Sequence, residues 1–131
     1  MQNAAGMAID GIFLHDDDHA RTCAPGELVF EIDDPADCMY VVISGAVEIR
    51  LGDKPLERVR AGGIVGEMAL IEELPRSATV VAIEETRLST VDKRRFEFLV
   101  QTHPYFATHV MRVLAHRLRQ MDKTLAEKAT T

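Results

Sequence analysis

The stretch "VGEMALIEELPRSATV", from Val65 to Val80, carries the strongest signal for fold and function in this sequence. It contains a glycine, one acid within a short apolar segment, and then an arginine followed by a serine. If residues 67–71 form a helical turn, its first backbone N–H groups have no partner within the helix and can attract an anion. Gly66 lets such a ligand approach the backbone closely. The stretch therefore predicts a site for a phosphate oxygen.

Three polar side chains in this stretch suit a phosphorylated sugar. The guanidinium of Arg76 can bind two phosphate oxygens at once, and Ser77 can donate one further hydrogen bond. A carboxylate repels phosphate, so we expect Glu67 to accept a hydrogen bond from a ribose hydroxyl and to balance Arg76. Two of these residues also have an ordinary explanation. Glu67 could interact favourably with the dipole at the helix N-terminus, and Arg76 could form a surface ion pair with Glu72 or Glu73. The combination, placed after a run of strands, favours the ligand site.

Length and composition indicate one globular domain over residues 1–131, with 47% hydrophobic and 27% charged residues. A net charge of −6 argues against broad nucleic-acid binding. No apolar run approaches the roughly 20 residues that span a bilayer, and the first ten residues do not resemble a secretory signal. Two cysteines, Cys23 and Cys38, form no disulfide framework. We therefore expect a cytoplasmic protein with no membrane partner.

Residues 24–92 carry a β pattern that follows a weakly patterned lead segment, residues 1–23. Short strand-like segments are separated by turn signals, and Val47, Ile49 and Leu51 alternate strictly with polar residues. Alternation places one face of a strand inward, so the interior is expected to be apolar. An antiparallel sandwich or barrel follows from this spacing. The predicted strand segments are "APGELVF", "CMYVVISG", "AVEIRLGD", "ATVVAI" and "TRLSTVD".

Residues 93–131 have a helical pattern instead. "KRRFEFLVQ" predicts a short helix, and His103-Pro104 ends it because the residue before proline avoids the helical conformation. A long helix is then predicted from Pro104 to about Lys128, with proline in the first turn, where its missing N–H costs nothing.

The long helix carries two apolar stripes. One can pack on the barrel while the other contacts a second copy of the chain, although a single broad core-facing stripe explains the first half equally well. Past Arg117 the flanking residues are polar, which favours a homodimer contact. The first stripe, spaced 4, 3, 4, 3, 4, is Ala107, Met111, Leu114, Leu118, Met121 and Leu125, and the second is Phe106, Val110 and Val113.

Other kinds of site find little support in the sequence. The run "HDDDH", His15 to His19, lies in the lead segment and is expected to be solvated, so no metal is predicted. A cupin-like metal barrel needs histidines on adjacent strands, but His103, His109 and His116 fall near or on the terminal helices. An iron–sulfur sensor needs four cysteine ligands, and the chain has two. No nucleophile–base arrangement stands out, so an enzyme is not expected.

The basic residues of the long helix suggest a solvated face. Arg112, Arg117 and Arg119 flank the first apolar stripe. DNA binding would need a helix-turn-helix beyond residue 128, so the chain by itself is not expected to bind DNA.

"GEMALIEELPRSATVVA" resembles the phosphate-binding cassette of cyclic nucleotide-binding domains, the family that includes the catabolite activator protein, protein kinase A regulatory subunits and nucleotide-gated channels. "PGELVF", "DPADCMYVVISGAVEI" and "HPYFATHVMRVLAHRLRQMD" agree with the pattern around it, so the resemblance covers about residues 24–125. It implies a mainly β fold, a jelly-roll β-barrel with flanking α-helices, and a non-enzymatic sensor. Its ligand would be cyclic AMP, with cyclic GMP discriminated weakly, and it would need no cofactor.

The resemblance also implies roles for single residues. The ribose contact falls on Glu67, the phosphate contacts on Arg76 and Ser77, and backbone amide contacts on Met68 and Ala69. Ligand binding is expected to reposition the C-terminal helix, with a separately encoded effector as a further partner. The alternative is a dimerising or docking scaffold in which nucleotide is optional. The complete set of expected ligand-binding residues is Val65, Gly66, Glu67, Met68, Ala69, Arg76, Ser77 and Ala78, with Ile49 and Leu51 as apolar walls and Met121 as a lid.

Two positions depart from the family pattern. Asp33 stands where a turn glycine is usual, and aspartate tolerates the left-handed conformation better than most residues. Val65 stands where an aromatic residue is usual, which gives a smaller pocket wall.

Overall fold

The computed structural model describes residues 20–130, except the side chains of residues 124–126 and 128–130. The run "HDDDH" at residues 15–19 lies outside the described residues, as does the side chain of Leu125.

Two antiparallel four-stranded sheets form the body of the described chain. Their strand orders are β1-β8-β3-β6 and β2-β7-β4-β5, so all neighbouring strands except β4 and β5 are distant in sequence. The predicted jelly-roll β-barrel is confirmed. The strands are β1 (Ala20–Cys23), β2 (Leu28–Phe30), β3 (Cys38–Ser44), β4 (Ala46–Leu51), β5 (Lys54–Arg60), β6 (Ile64–Val65), β7 (Thr79–Ala82) and β8 (Thr86–Asp92).

Three helices accompany the sheets: α1 (Glu67–Glu72), α2 (Lys93–Thr102) and α3 (Pro104–Thr130). The Asp92 side chain caps α2 by accepting a hydrogen bond from the Arg95 backbone N–H at 2.8 Å. The backbone leaves the helical conformation at His103, and α3 begins at the following proline. All three predicted helices are confirmed. None of the helices in the described residues is long and apolar enough to cross a membrane.

The core has two layers because β3 is covered on both faces. Side chains alternate along a strand, so Tyr40 and Val42 point between the sheets while Met39 and Val41 point towards the helices. The inner layer lies between the two sheets. The outer layer joins this sheet to α2 and α3 through Leu99, Phe106, Val110 and other residues. The helices are therefore fixed to the barrel by β3 and its neighbours.

The two stripes of α3 have different environments. Phe106 and Val110 are buried in the outer layer, as the barrel-packing stripe predicts, and Val113 and Leu114 pack against them. The other stripe is mixed: Leu114 packs on the outer layer, whereas Met111, Leu118 and Met121 are exposed by 60%, 58% and 61%.

Candidate functional site

Strand β6 is followed directly by Gly66, which caps the N-terminus of α1. Gly66 has a φ of 80°, in the left-handed region that favours glycine. A Cβ atom at this position would lie 2.6 Å from Nη1 of Arg76. Because α1 begins at the next residue, the N–H groups of Met68 and Ala69 belong to its first turn and have no helical partner. The arginine and this turn therefore meet at the glycine.

Arg76 is buried at the centre of this site, with only 5% of its surface exposed. Its Nη1 donates to the Gly66 carbonyl oxygen at 3.3 Å, and its Nη2 donates to Sγ of Cys38 at 3.6 Å. The guanidinium carbon lies 4.0 Å from the ring centroid of Phe30, a cation–π contact. Its Nε has no hydrogen-bond partner among the described residues. All of these contacts are with neutral groups.

The surface ion pair considered for Arg76 is wrong. A buried guanidinium does not reach the exposed Glu72 and Glu73 carboxylates, and Glu73 pairs with Lys93 at 3.3 Å. The positive charge of Arg76 is thus left without an acidic partner among the described residues. A bound anion would neutralise this buried charge.

The backbone of Arg76 is fixed by the turn after β2. Its N–H donates to the carbonyl oxygen of Asp34 at 3.0 Å, and its carbonyl oxygen accepts from the N–H of Asp33 at 2.9 Å. Asp33 has a φ of 73°, so aspartate does adopt the left-handed conformation here. Aspartate in place of the family's usual glycine therefore does not disturb the backbone hydrogen bonds that hold Arg76.

Glu67 is even more deeply buried, with 2% of its surface exposed, and its partner comes from α3. Nη1 of Arg117 donates to Oε1 of Glu67 at 2.7 Å, while Nη2 donates to the Ile64 carbonyl oxygen at 2.8 Å. Nε of Arg117 donates to Oε1 of Glu57 at 3.1 Å. Burial acts to lower the pKa of Arg117, but the Glu67 and Glu57 carboxylates outweigh it, and the pKa is raised.

This ion pair corrects two expectations. Glu67 is balanced by Arg117 and not by Arg76. Arg117 is also not part of a solvated face, because its side chain is only 19% exposed, whereas Arg112 and Arg119 are exposed. The long helix is therefore joined to the cassette by a buried charge pair.

The other residues predicted to bind the ligand differ in how far they are buried. Val65 is fully buried in the inner core, and Ala69 is a buried residue of α1. Ile49 is half-buried against the inner core and lies opposite Glu57 in the β4–β5 pairing. Ala78 is half-buried beside the site. The exposed members of the set are Leu51, Met68, Ser77 and Met121.

Sequence reasoning missed several residues that shape the site, chiefly Arg117, Phe30 and Cys38. A signal for Arg117 was present, because it continues the spacing of Phe106, Val110 and Val113 on the packed face of α3. Among the described residues, no group of three or more histidine, cysteine or acidic side chains could hold a metal ion.

The family model of the cyclic nucleotide-binding domain matches residues 20–103 of this chain. A Rhodopseudomonas palustris protein described as a potassium channel is 37% identical over 112 residues, covering 82% of this chain and 27% of that protein. The catabolite activator protein of Thermus thermophilus has a TM-score of 0.74 at 31% identity, covering 84% of this chain and 54% of that one.

A second similar structure contains a nucleotide. The EAL enzyme Bd1971 in its cAMP-bound form has a TM-score of 0.59 at 35% identity, covering 85% of this chain and 31% of that one. The same enzyme has been solved in a cGMP-bound form. This chain thus spans about half the length of the Thermus protein and less than a third of the other two.

Proposed function

The chain belongs to the cyclic nucleotide-binding domain family, and we propose that it binds a cyclic nucleotide as a sensor without catalysing a reaction on it. The observation that carries the proposal is the guanidinium of Arg76, buried beside Gly66 with no acidic partner among the described residues. A planar guanidinium matches the two free oxygens of a cyclic phosphate.

Different cassette residues would contact the phosphate, the ribose and the base of the ligand. We assign the phosphate to Arg76 and Ser77, together with the backbone N–H groups of Met68 and Ala69. The ribose 2′-hydroxyl would donate to Glu67, whose carboxylate lies at the start of the same short helix. Val65, Gly66 and Ala78 complete the wall of the phosphate site, while Ile49 and Leu51 would contact the base.

Cyclic AMP is the ligand that we propose, with weak discrimination against cyclic GMP. The apolar walls suit adenine without selecting for it, and the similar EAL enzyme accepts both nucleotides in solved structures. Isothermal titration calorimetry with each nucleotide in one buffer tests this. We expect saturable binding of both, with cyclic AMP tighter by less than about tenfold, a difference of at most about 1.4 kcal/mol. Tighter binding of cyclic GMP would overturn the preference, and binding of neither would overturn the proposed function.

Binding would become a signal through α3. Glu67 would have to share its oxygen atoms between a ribose hydroxyl and Arg117, which is its present partner at 2.7 Å. A ligand shifts a helix only by its differential affinity for two helix positions, typically about 1–3 kcal/mol. Because Arg117 belongs to α3, a change at Glu67 acts directly on that helix. A separately encoded effector would then respond to the helix position.

A chain that ends at Arg117 separates the packing of α3 on the barrel from its proposed roles as dimer contact and lid. The shortened chain keeps the Glu67 pair and the packed stripe, but loses Leu118 and Met121, which are exposed by 58% and 61%. We expect it to fold, to lose a homodimer contact, and to bind cyclic AMP more weakly by about 1–3 kcal/mol because the Met121 lid is absent.

Sedimentation of the full and shortened chains, with and without cyclic AMP, checks the dimer, and calorimetry checks the lid. A full-length chain that stays monomeric in both conditions would contradict the dimer contact. Equal affinities of the two chains would contradict the lid.

A further inference from the structure

A cleft of about 640 Å³ lies between α3 and the turn that joins β5 to β6. Arg58 and Arg60 line it from β5, while His109, Arg112 and His116 line it from α3. The cleft adjoins the nucleotide site through Arg117, which lines it and pairs with Glu67, but neither Glu67 nor Arg76 lies among its lining residues.

The cleft is basic on a chain whose net charge is −6. Its single lining acid, Glu57, is already bound by Arg117, and Arg58 is paired with Glu48 at 3.2 Å. Arg60 and Arg112 have no acidic partner in the described part of the chain, and both are exposed. A local basic surface on an acidic protein attracts a ligand of opposite charge.

Apolar groups lie between these charges. Val113 is half-buried and borders the cleft, whereas Val59 and Ile64, which also line it, are buried. An inorganic anion gains nothing from apolar contacts, whereas a peptide can place an apolar side chain between two acidic ones. The mixed lining therefore favours a peptide segment.

His109 also lines the cleft, but its side chain is only 7% exposed, and its Nε2 lies 3.0 Å from the Gly62 carbonyl oxygen. Its Nδ1 has no hydrogen-bond partner among the described residues and is buried from solvent, so the ring offers no polar atom to a ligand in the cleft. The charges that a ligand can reach are therefore those of the exposed arginines, Arg60 and Arg112.

The dimensions fit a short segment. From His109 to Arg117 the helix advances eight residues, or about 12 Å at 1.5 Å per residue. Extended chain covers about 3.3 Å per residue, so roughly four residues span the cleft.

We propose that this cleft binds a short extended acidic segment of a protein partner, with carboxylates on Arg60 and Arg112 and an apolar side chain against Val113. This surface goes beyond nucleotide binding, and it can be tested without nucleotide.

The test uses fluorescence anisotropy with a fluorescein-labelled peptide, DEVEDVEE, and the full chain at about 50 mM salt, where charge attraction is only partly screened. We expect saturable binding. The double variant Arg60→Glu/Arg112→Glu should weaken it at least tenfold, and Arg60→Ala/Arg112→Ala should do so if the charge reversal impairs folding. The matched control is Arg94→Glu/Arg119→Glu, which changes two exposed arginines outside the cleft by the same total charge.

Each alternative has its own outcome. Absence of saturable binding to the unmodified chain overturns the proposal, as does an equal loss in the cleft and control variants, which would indicate only net charge. Displacement of the peptide by 10 mM inorganic phosphate at constant ionic strength would show a site for free anions instead. Calorimetry with cyclic AMP on the cleft variant should match the unmodified chain, so failure of this proposal and failure of the nucleotide site are distinguishable.

Discussion

Replacing Arg76 with alanine is expected to weaken cyclic AMP binding by about 2–5 kcal/mol, which is the usual cost of removing one member of a buried charge pair. The affinity should fall at least about 30-fold. The reason is that the phosphate would lose the only buried cation within the cassette. Arg76→Lys should restore part of the affinity, because lysine supplies the charge without the planar fork.

The folded state should tolerate this change far better than binding does. Arg76 contacts the Gly66 carbonyl, the Cys38 sulfur and the Phe30 ring, so its removal leaves no buried carboxylate unpaired. We expect the free energy of unfolding in urea to fall by at most about 2 kcal/mol, the size of a buried cation–π contact. Arg94→Ala, at an exposed position on α2, is the control for both measurements. Calorimetry showing equal affinity for the Arg76→Ala variant and this control would contradict the phosphate assignment.

The contiguous part of the site could be predicted from sequence because its geometry is local. Gly66, the helical turn and Arg76 lie within eleven positions, and the left-handed turn at Asp33 follows from a property of aspartate. The Arg117–Glu67 pair joins residues 50 positions apart, so it depends on where α3 crosses the barrel. Arg117 was predicted on a solvated face; helical periodicity could have placed it on the packed face of α3, but it could not identify the acid beneath it.

Strands β1, β5 and β6 were not among the predicted segments, and their positions at the edges of the sheets explain why. β1 and β5 are edge strands, and β6 forms the other edge of the first sheet with only two residues. In β5, "KPLERVR", only Val59 is buried, and Pro55 lacks an N–H to donate to a neighbour. Edge strands are commonly polar and interrupted in this way, so their sequences lack the alternation that revealed β4.

Replacing Arg117 with alanine is expected to destabilise the folded chain by about 3–5 kcal/mol, because it leaves a buried carboxylate without its cation. Glu67 is 2% exposed, so water cannot replace the lost partner without local opening of the structure. Glu57, the other partner of Arg117, has a side chain that is 32% exposed and can be solvated. The cost should therefore arise at Glu67.

A double-mutant cycle locates that cost. Glu67→Gln in the Arg117→Ala background removes the uncompensated charge, so at least half of the lost stability should return, and the two changes should not be additive. Urea unfolding at pH 7 of the two single variants, the double variant and the unmodified chain measures the coupling. Arg119→Ala, an exposed position on α3 two residues further on, should change the unfolding free energy by less than about 0.5 kcal/mol. If Arg117→Ala were no more destabilising than this control, the pair would not hold α3 on the cassette, and nucleotide binding at Glu67 would have no direct route to the helix.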